Sequence, residues 1–451
     1  MKTHQMSKYI LVFSFIIFTS LGFSQEKKEY SFSLEEAITI ALDSNYTSIN
    51  ARRDIAKALH QKWETTAMGL PQINGNISYN NNLKQPVMLI PAEFSGGEPG
   101  TFLPVVFGTK QNLNAVATLN QLIFDGSYLV GLKAAKAFLR YSENFNEKTR
   151  QEVRKGVINA YGSVLLSQEL IDIFEKNKSN LEKNLFETRK IFENGLTDEE
   201  NVEQLEITLL DIDTQLKNAR RTQAIAKQMF NLALGIDVEA TVILTANLDE
   251  LAQENISLSL LDTSLNIENN VDYKIGTNFV EQRYFENRLE KSKALPRLSA
   301  FVNYGTSANS EDFSFFNGDQ TWYQSSLLGV SLNIPIFSSG QRRAASQRTQ
   351  IALDQANTDL ERTKQQIKLD LTTAQSNYVF AINNYENSKK NLALAERVDK
   401  QNQIKFTEGL SSSFELRQAQ TQLYTAQQQY FQAMLNVINQ KAALESILNN
   451  N

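Results

Sequence analysis

The chain has 451 residues, room for two or three domains, and a net charge of −5 with no basic block, so nucleic acid is not an expected partner. It contains no cysteine, which excludes disulfides, thiolate metal sites, a cysteine nucleophile and a lipidated N-terminal cysteine. With two histidines, His4 and His60, and seven prolines, the composition suits long helices better than an α/β enzyme, and no metal site or cofactor is expected.

Residues 1–24 join Lys2 and Lys8 to an apolar run from Tyr9 to Phe18 and then to Leu21-Gly-Phe-Ser24. This is the pattern of a secretory signal peptide cleaved after Ser24. No later stretch is apolar enough to span a bilayer as a helix, so a membrane-embedded mature chain would have to cross by strands.

Ser33-Leu-Glu-Glu36 forms a capping box that starts a helix carrying Ala37, Ile40, Ala41, Ile49, Ile55 and Leu59, ending near Leu70-Pro71. Strands are expected at 72–80, where Ile73, Gly75, Ile77 and Tyr79 alternate with polar residues, and at 114–124; residues 81–112 between them read as a long loop. A proline-free helix follows over 126–194, roughly 100 Å long at 1.5 Å per residue. Its stripe is Val153, Val157, Tyr161, Val164, Ile171, Phe174, Leu181, Leu185 and Phe192. It stops at Gly195-Leu196-Thr197, and a return helix runs over 198–234. Residues 236–266 are a mixed linker with one short apolar piece, Thr241 to Thr245.

The rest of the chain replays the first part. A helix from 267, strands at 297–305 and 323–337, a long helix at 340–408 and a return helix at 412–448 follow in the same order. Leu70-Pro71 matches Leu295-Pro296, and Phe192-Glu-Asn-Gly195-Leu196-Thr197 matches Phe406-Thr-Glu-Gly409-Leu410-Ser411. From Val153 to Gly235 the second copy follows at a constant offset of 214 residues. The expected organisation is therefore a signal peptide (1–24), a first repeat (25–235), a linker (236–266) and a second repeat (267–451). Four strands cannot close a membrane barrel, whose smallest forms have about eight, so the chain must pool strands with copies of itself.

These features resemble the TolC-like outer-membrane efflux proteins across nearly the whole mature chain. The resemblance rests on Ser33-Leu-Glu-Glu-Ala37, both Leu-Pro strand entries, both long helices and both Gly-Leu turns. It implies a mainly α fold of long helical hairpins plus four transmembrane strands per chain, completing a twelve-stranded outer-membrane barrel in a homotrimer above a periplasmic helical tunnel. It also implies a passive exit duct docked to a periplasmic adaptor and an inner-membrane pump of the RND or ABC type.

By that resemblance Gly195, Leu196, Thr197, Gly409, Leu410 and Ser411 would meet the adaptor. The acidic rings that constrict the periplasmic mouth carry over to Glu415 and Gln418, with Glu200 the candidate in the first copy. The plainer reading is that each glycine ends a helix, and that Thr197-x-x-Glu200 and Ser412-x-x-Glu415 are both capping boxes. Two other classes compete with this reading. An enzyme lacks support, because the chain has no phosphate-binding glycine loop, no Gly-x-Ser-x-Gly and no histidine-based metal spacing. A periplasmic coiled-coil scaffold without channel activity is the second.

Overall fold

The computed structural model describes residues 29–449, so the expected signal peptide lies outside the described residues. Among those residues no helix is long and apolar enough to cross a membrane. The described elements in chain order are β1 (Glu29–Phe32), α1 (Leu34–Ser44), α2 (Tyr46–Ala67), β2 (Gln72–Asn81), β3 (Val87–Pro91), β4 (Phe102–Val106), β5 (Gln111–Asp125), α3 (Gly126–Glu193) and α4 (Glu199–Leu234). They continue with β6 (Thr241–Leu244), α5 (Leu248–Glu254), α6 (Val271–Ser292), β7 (Arg297–Ser310), β8 (Tyr323–Asn333), α7 (Gln341–Thr407) and α8 (Ser413–Leu448). The chain divides into two compact units, each drawing on both halves of the sequence.

Among the described residues, the first unit takes those up to Arg52, Asn146–Val271 and those from Gln366 onward. It is helical, and its core is the stripe read from the sequence: Val153, Val157, Tyr161, Val164, Ile171, Phe174, Leu181 and Leu185 are all buried, while Phe192 near the turn is exposed. β1 and β6 pair in parallel beside this core. Two buried tyrosines fasten the linker to the long helices. Tyr161 donates to the Phe32 carbonyl at 3.1 Å and accepts from the Ala246 N–H at 3.2 Å. Tyr378 donates to the Asn255 carbonyl at 2.7 Å and accepts from the Ser257 N–H at 2.8 Å. Hydroxyls buried this deeply need such partners, because an unpaired polar group in the interior is costly.

The helix expected from Ser33 to Leu70 is two helices. Its capping box forms as expected, Ser33 accepting from the Glu36 N–H while Glu36 accepts from the Ser33 N–H. The break falls at Asn45, whose side-chain oxygen accepts from the Thr47 N–H and whose amide donates to the Ala233 carbonyl. Ser44 donates likewise to the Leu234 carbonyl. The two side chains cap the C-terminal end of α4, and helix continuity yields to that tertiary contact. Gly235 follows at φ +77°, with Ser44 so near that a Cβ would lie 2.2 Å from its carbonyl oxygen.

The second unit comprises Arg53–Phe145 and Asp272–Gln365. Its centre is an antiparallel sheet in the order β2-β5-β7-β8. Boundaries differ from the sequence reading: β5 starts at Gln111 rather than 114, and β7 runs to Ser310 rather than 305. β8 ends at Asn333 rather than 337, because Pro335 has no N–H for a ladder. The loop expected at 81–112 contains the hairpin β3–β4. Pro91 and Pro104 fit in these strands, because in a two-stranded ribbon both strands are edges and tolerate proline.

The helix ends keep the repeat spacing. α3 ends at Glu193 and α7 at Thr407, 214 residues on, and α4 and α8 have 36 residues each. α4 ends on Gly235 and α8 on Asn449, both in the left-handed conformation.

Candidate functional site

Each long helix of the first unit ends in the same turn. Gly195 donates its N–H to the Phe192 carbonyl and Leu196 to that of Ile191; Gly409 donates to Phe406 and Leu410 to Lys405. This pair of bonds is a Schellman motif, and it needs a left-handed residue. Both glycines have φ +70°. Leu196 and Leu410 are each 78% exposed, the same value at two turns far apart in sequence. Two leucines held out in water at matched positions form a small apolar feature that a partner can cover.

Past the leucines the turns differ. Ser412 caps α8 and accepts from the Glu415 N–H at 3.3 Å. The Glu415 carboxylate returns to the Ser412 N–H at 2.9 Å and to the Ser411 hydroxyl at 2.8 Å. Those bonds hold its carboxyl below the usual carboxylate range, the Ser412 backbone bond foremost. Glu415 is thus an exposed, ionised acid fixed in position at the start of α8.

The capping box expected at Thr197-x-x-Glu200 does not form. The N-cap of α4 is Asp198, which makes no side-chain capping bond, and Glu200 is exposed. The reason is register: the 214-residue offset pairs Ser412 with Asp198 and Glu415 with Asn201, one residue later than Thr197 and Glu200. Sequence reasoning missed Asn201, though its own repeat alignment pointed there. Asn201 donates to Thr197 Oγ1 at 2.7 Å, and its carbonyl oxygen accepts from the buried Ser413 hydroxyl. The first and second turns are therefore joined side by side through one neutral amide.

Gln418 is exposed and lines a groove of about 1420 Å³ whose walls also include Phe414 and Arg417 of α8, Gln215 of α4 and Leu170 of α3. Arg417 lies over the Phe414 ring at 5.7 Å. The structure thus brings Gly195, Leu196, Thr197, Gly409, Leu410, Ser411 and Glu415 to neighbouring helix ends, with Glu200 on the first turn of α4 and Gln418 on the second turn of α8. No cluster of His, Cys, Asp and Glu among the described residues could hold a metal ion.

The profile of the family described as outer membrane efflux protein matches residues 280–450. The outer membrane protein TolC of Vibrio cholerae is 23% identical over 350 residues, covering 74% of this chain and 71% of that protein. The alkaline protease secretion protein AprF of Pseudomonas aeruginosa is 21% identical over 337 residues, 72% of this chain and 67% of its own. Among solved structures, CusC superposes with a TM-score of 0.73 at 17% identity, covering 92% of this chain and 91% of CusC. The fold is that of solved outer-membrane channels such as CusC. Together these similarities support a TolC-like outer membrane efflux protein.

Proposed function

We propose that this chain forms a homotrimeric channel-tunnel, the passive exit duct of a tripartite efflux or type I secretion system. In this reading the sheets of three copies close one twelve-stranded barrel in the outer membrane. The helical units of the three copies make the periplasmic tunnel, and the turns at Leu196 and Leu410 dock on a periplasmic adaptor that links the duct to an RND or ABC pump. Glu415, Glu200 and Gln418 are the candidates for constricting the periplasmic mouth, where rings of carboxylate favour cations.

The observation that carries the reading is the state of the sheet. Among the described residues its outer strands β2 and β8 each have one neighbour, so two edges are open. One face exposes Ile73, Ile77, Leu328, Val330 and Leu332. An open edge is not tolerated in lipid and is a liability in water. Joining β8 of one copy to β2 of the next removes every edge and turns the apolar face outward to lipid. AprF, named for protease secretion, and the efflux channels of the same fold support the two export routes equally.

The test is reconstitution of the purified chain in a planar bilayer, with its mass in detergent measured alongside. Trimers that give discrete ohmic channels are expected. A monomer that salt or carbonate strips from membranes would favour the scaffold reading instead. A photo-crosslinker at Leu196 or Leu410 should capture an adaptor in cells, and no capture at either position in an active complex would overturn tip docking.

A further inference from the structure

The face of the β2-β5-β7-β8 sheet opposite the apolar one is rich in carboxamides and nearly free of charge. Asn80, Asn112 and Asn309 stand side by side across β2, β5 and β7, and Asn74, Thr118 and Asn303 form a second such row. Asn112 donates to the Asn309 side-chain oxygen at 2.8 Å and accepts from Asn114, so the amides form a connected surface. The Asn303 side-chain oxygen is buried without a partner. Among the residues of these four strands, only Asp125 and Arg297 carry charge. They lie opposite each other at the strand ends next to α3, 3.5 Å apart, and offset one another.

The same face carries an aromatic plate. Phe301 and Gly329 are cross-strand partners, and a Cβ on Gly329 would lie 2.4 Å from the Phe301 ring. The glycine therefore lets the ring lie across the sheet instead of standing off it. Tyr323, on the same face, is exposed.

A carboxamide offers two donors and an acceptor but no net charge. A wall of them with aromatic plates pairs with hydroxyl-rich chains, whose hydroxyls need both roles and whose C–H faces stack on rings. Against an ion of either sign it offers no fixed charge to attract or repel. We infer that this face lines the barrel pore and gives passage, with weak transient binding, to uncharged polyhydroxylated chains such as oligosaccharides. The inference rests on the channel reading above and adds the class of cargo the barrel accommodates.

The test uses full-length trimers in a planar bilayer, with maltohexaose added on the barrel side. Interruptions of the open-channel current that grow with sugar concentration are expected. Their dwell time should fall roughly fivefold in Asn112→Ala, since one hydrogen-bonding side chain per copy is lost. Asn114→Asp, which keeps the side-chain shape, should shift the reversal potential in a KCl gradient toward cations, because the one base of these strands, Arg297, is already offset by Asp125. A polyethylene glycol of matching size that blocks as well as maltohexaose would overturn the inference while leaving the channel intact. So would Asn112→Ala dwell times equal to wild type. Absence of any conductance would instead remove the channel reading itself.

Discussion

The two turns of the helical unit share a backbone and diverge at one side chain. At the third residue of α4 stands Asn201, and at the matching position of α8 stands Glu415. The glutamate folds back onto its own cap and keeps its charge at the surface. The asparagine, which carries no charge, reaches sideways to Thr197 and to Ser413 at the other turn. One copy thus supplies a fixed acid and the other a tie between the turns. A repeat can keep its fold while dividing two tasks, because the Schellman turns set the geometry and leave the next turn of helix free to vary.

The hairpins diverge again further from the turns, and there the largest effect is expected. Leu185 in α3 is buried in the helical core, and 214 residues on α7 buries Asp399. One Asp399 oxygen accepts from Gln403 on its own helix at 2.8 Å, the other has no partner, and burial pushes its carboxyl up to about 6. The titratable group facing it from α8 is Tyr424, whose hydroxyl burial also pushes up. Since the folded value lies above the ordinary 3.8, the stability this group contributes is fully present below that pH and is lost as the pH rises through about 6. Asp399→Leu, which copies the first hairpin, should therefore stabilise the protein by about 3 kcal/mol near neutral pH. That pH-dependent gain should vanish in acid. Urea unfolding followed by helical circular dichroism at several pH values reads it, and a gain that does not change with pH would refute the cause.

Asn201→Ala removes both bonds of the bridge and leaves the Ser413 hydroxyl buried without its acceptor, for an expected loss of about 2 kcal/mol. It should also loosen the turns, seen as faster amide exchange at 409–413, whereas Glu415→Gln should leave exchange at Thr197 unchanged. Exchange rising equally in both variants would erase the distinction between the turns.

Gly195→Ala and Gly409→Ala should each cost about 1 kcal/mol, since both force a Cβ into the left-handed region without any clash. Equal losses are the expectation. A much larger loss at one turn would mean that the motif is not equivalent in the two copies. Smallest is the capping contrast: Ser412→Ala should lose about 1 kcal/mol and Asp198→Ala less than about 0.5 kcal/mol, because only Ser412 makes a side-chain cap. Thermal melts of the two variants side by side decide it.

Where sequence reasoning failed, local pattern lost to a contact made far along the chain. Asn45 broke a helix with good periodicity because Ala233 and Leu234 needed donors. Thr197-x-x-Glu200 had the spelling of a capping box, but the backbone placed the cap at Asp198. Asp399 sat in a polar-looking stretch, and nothing local marks it as buried beside Tyr424.

The sequence by itself determined the long proline-free helices, the glycine turns that end them, the alternating strands and the 214-residue offset. Each is written in short-range periodicity or in a residue with a special backbone preference. Only the tertiary structure decided which strands became neighbours, and with them which amides share a face. It alone decided that Asn201 meets Ser413. Those facts depend on side chains up to about two hundred residues apart, and no local preference encodes such a distance.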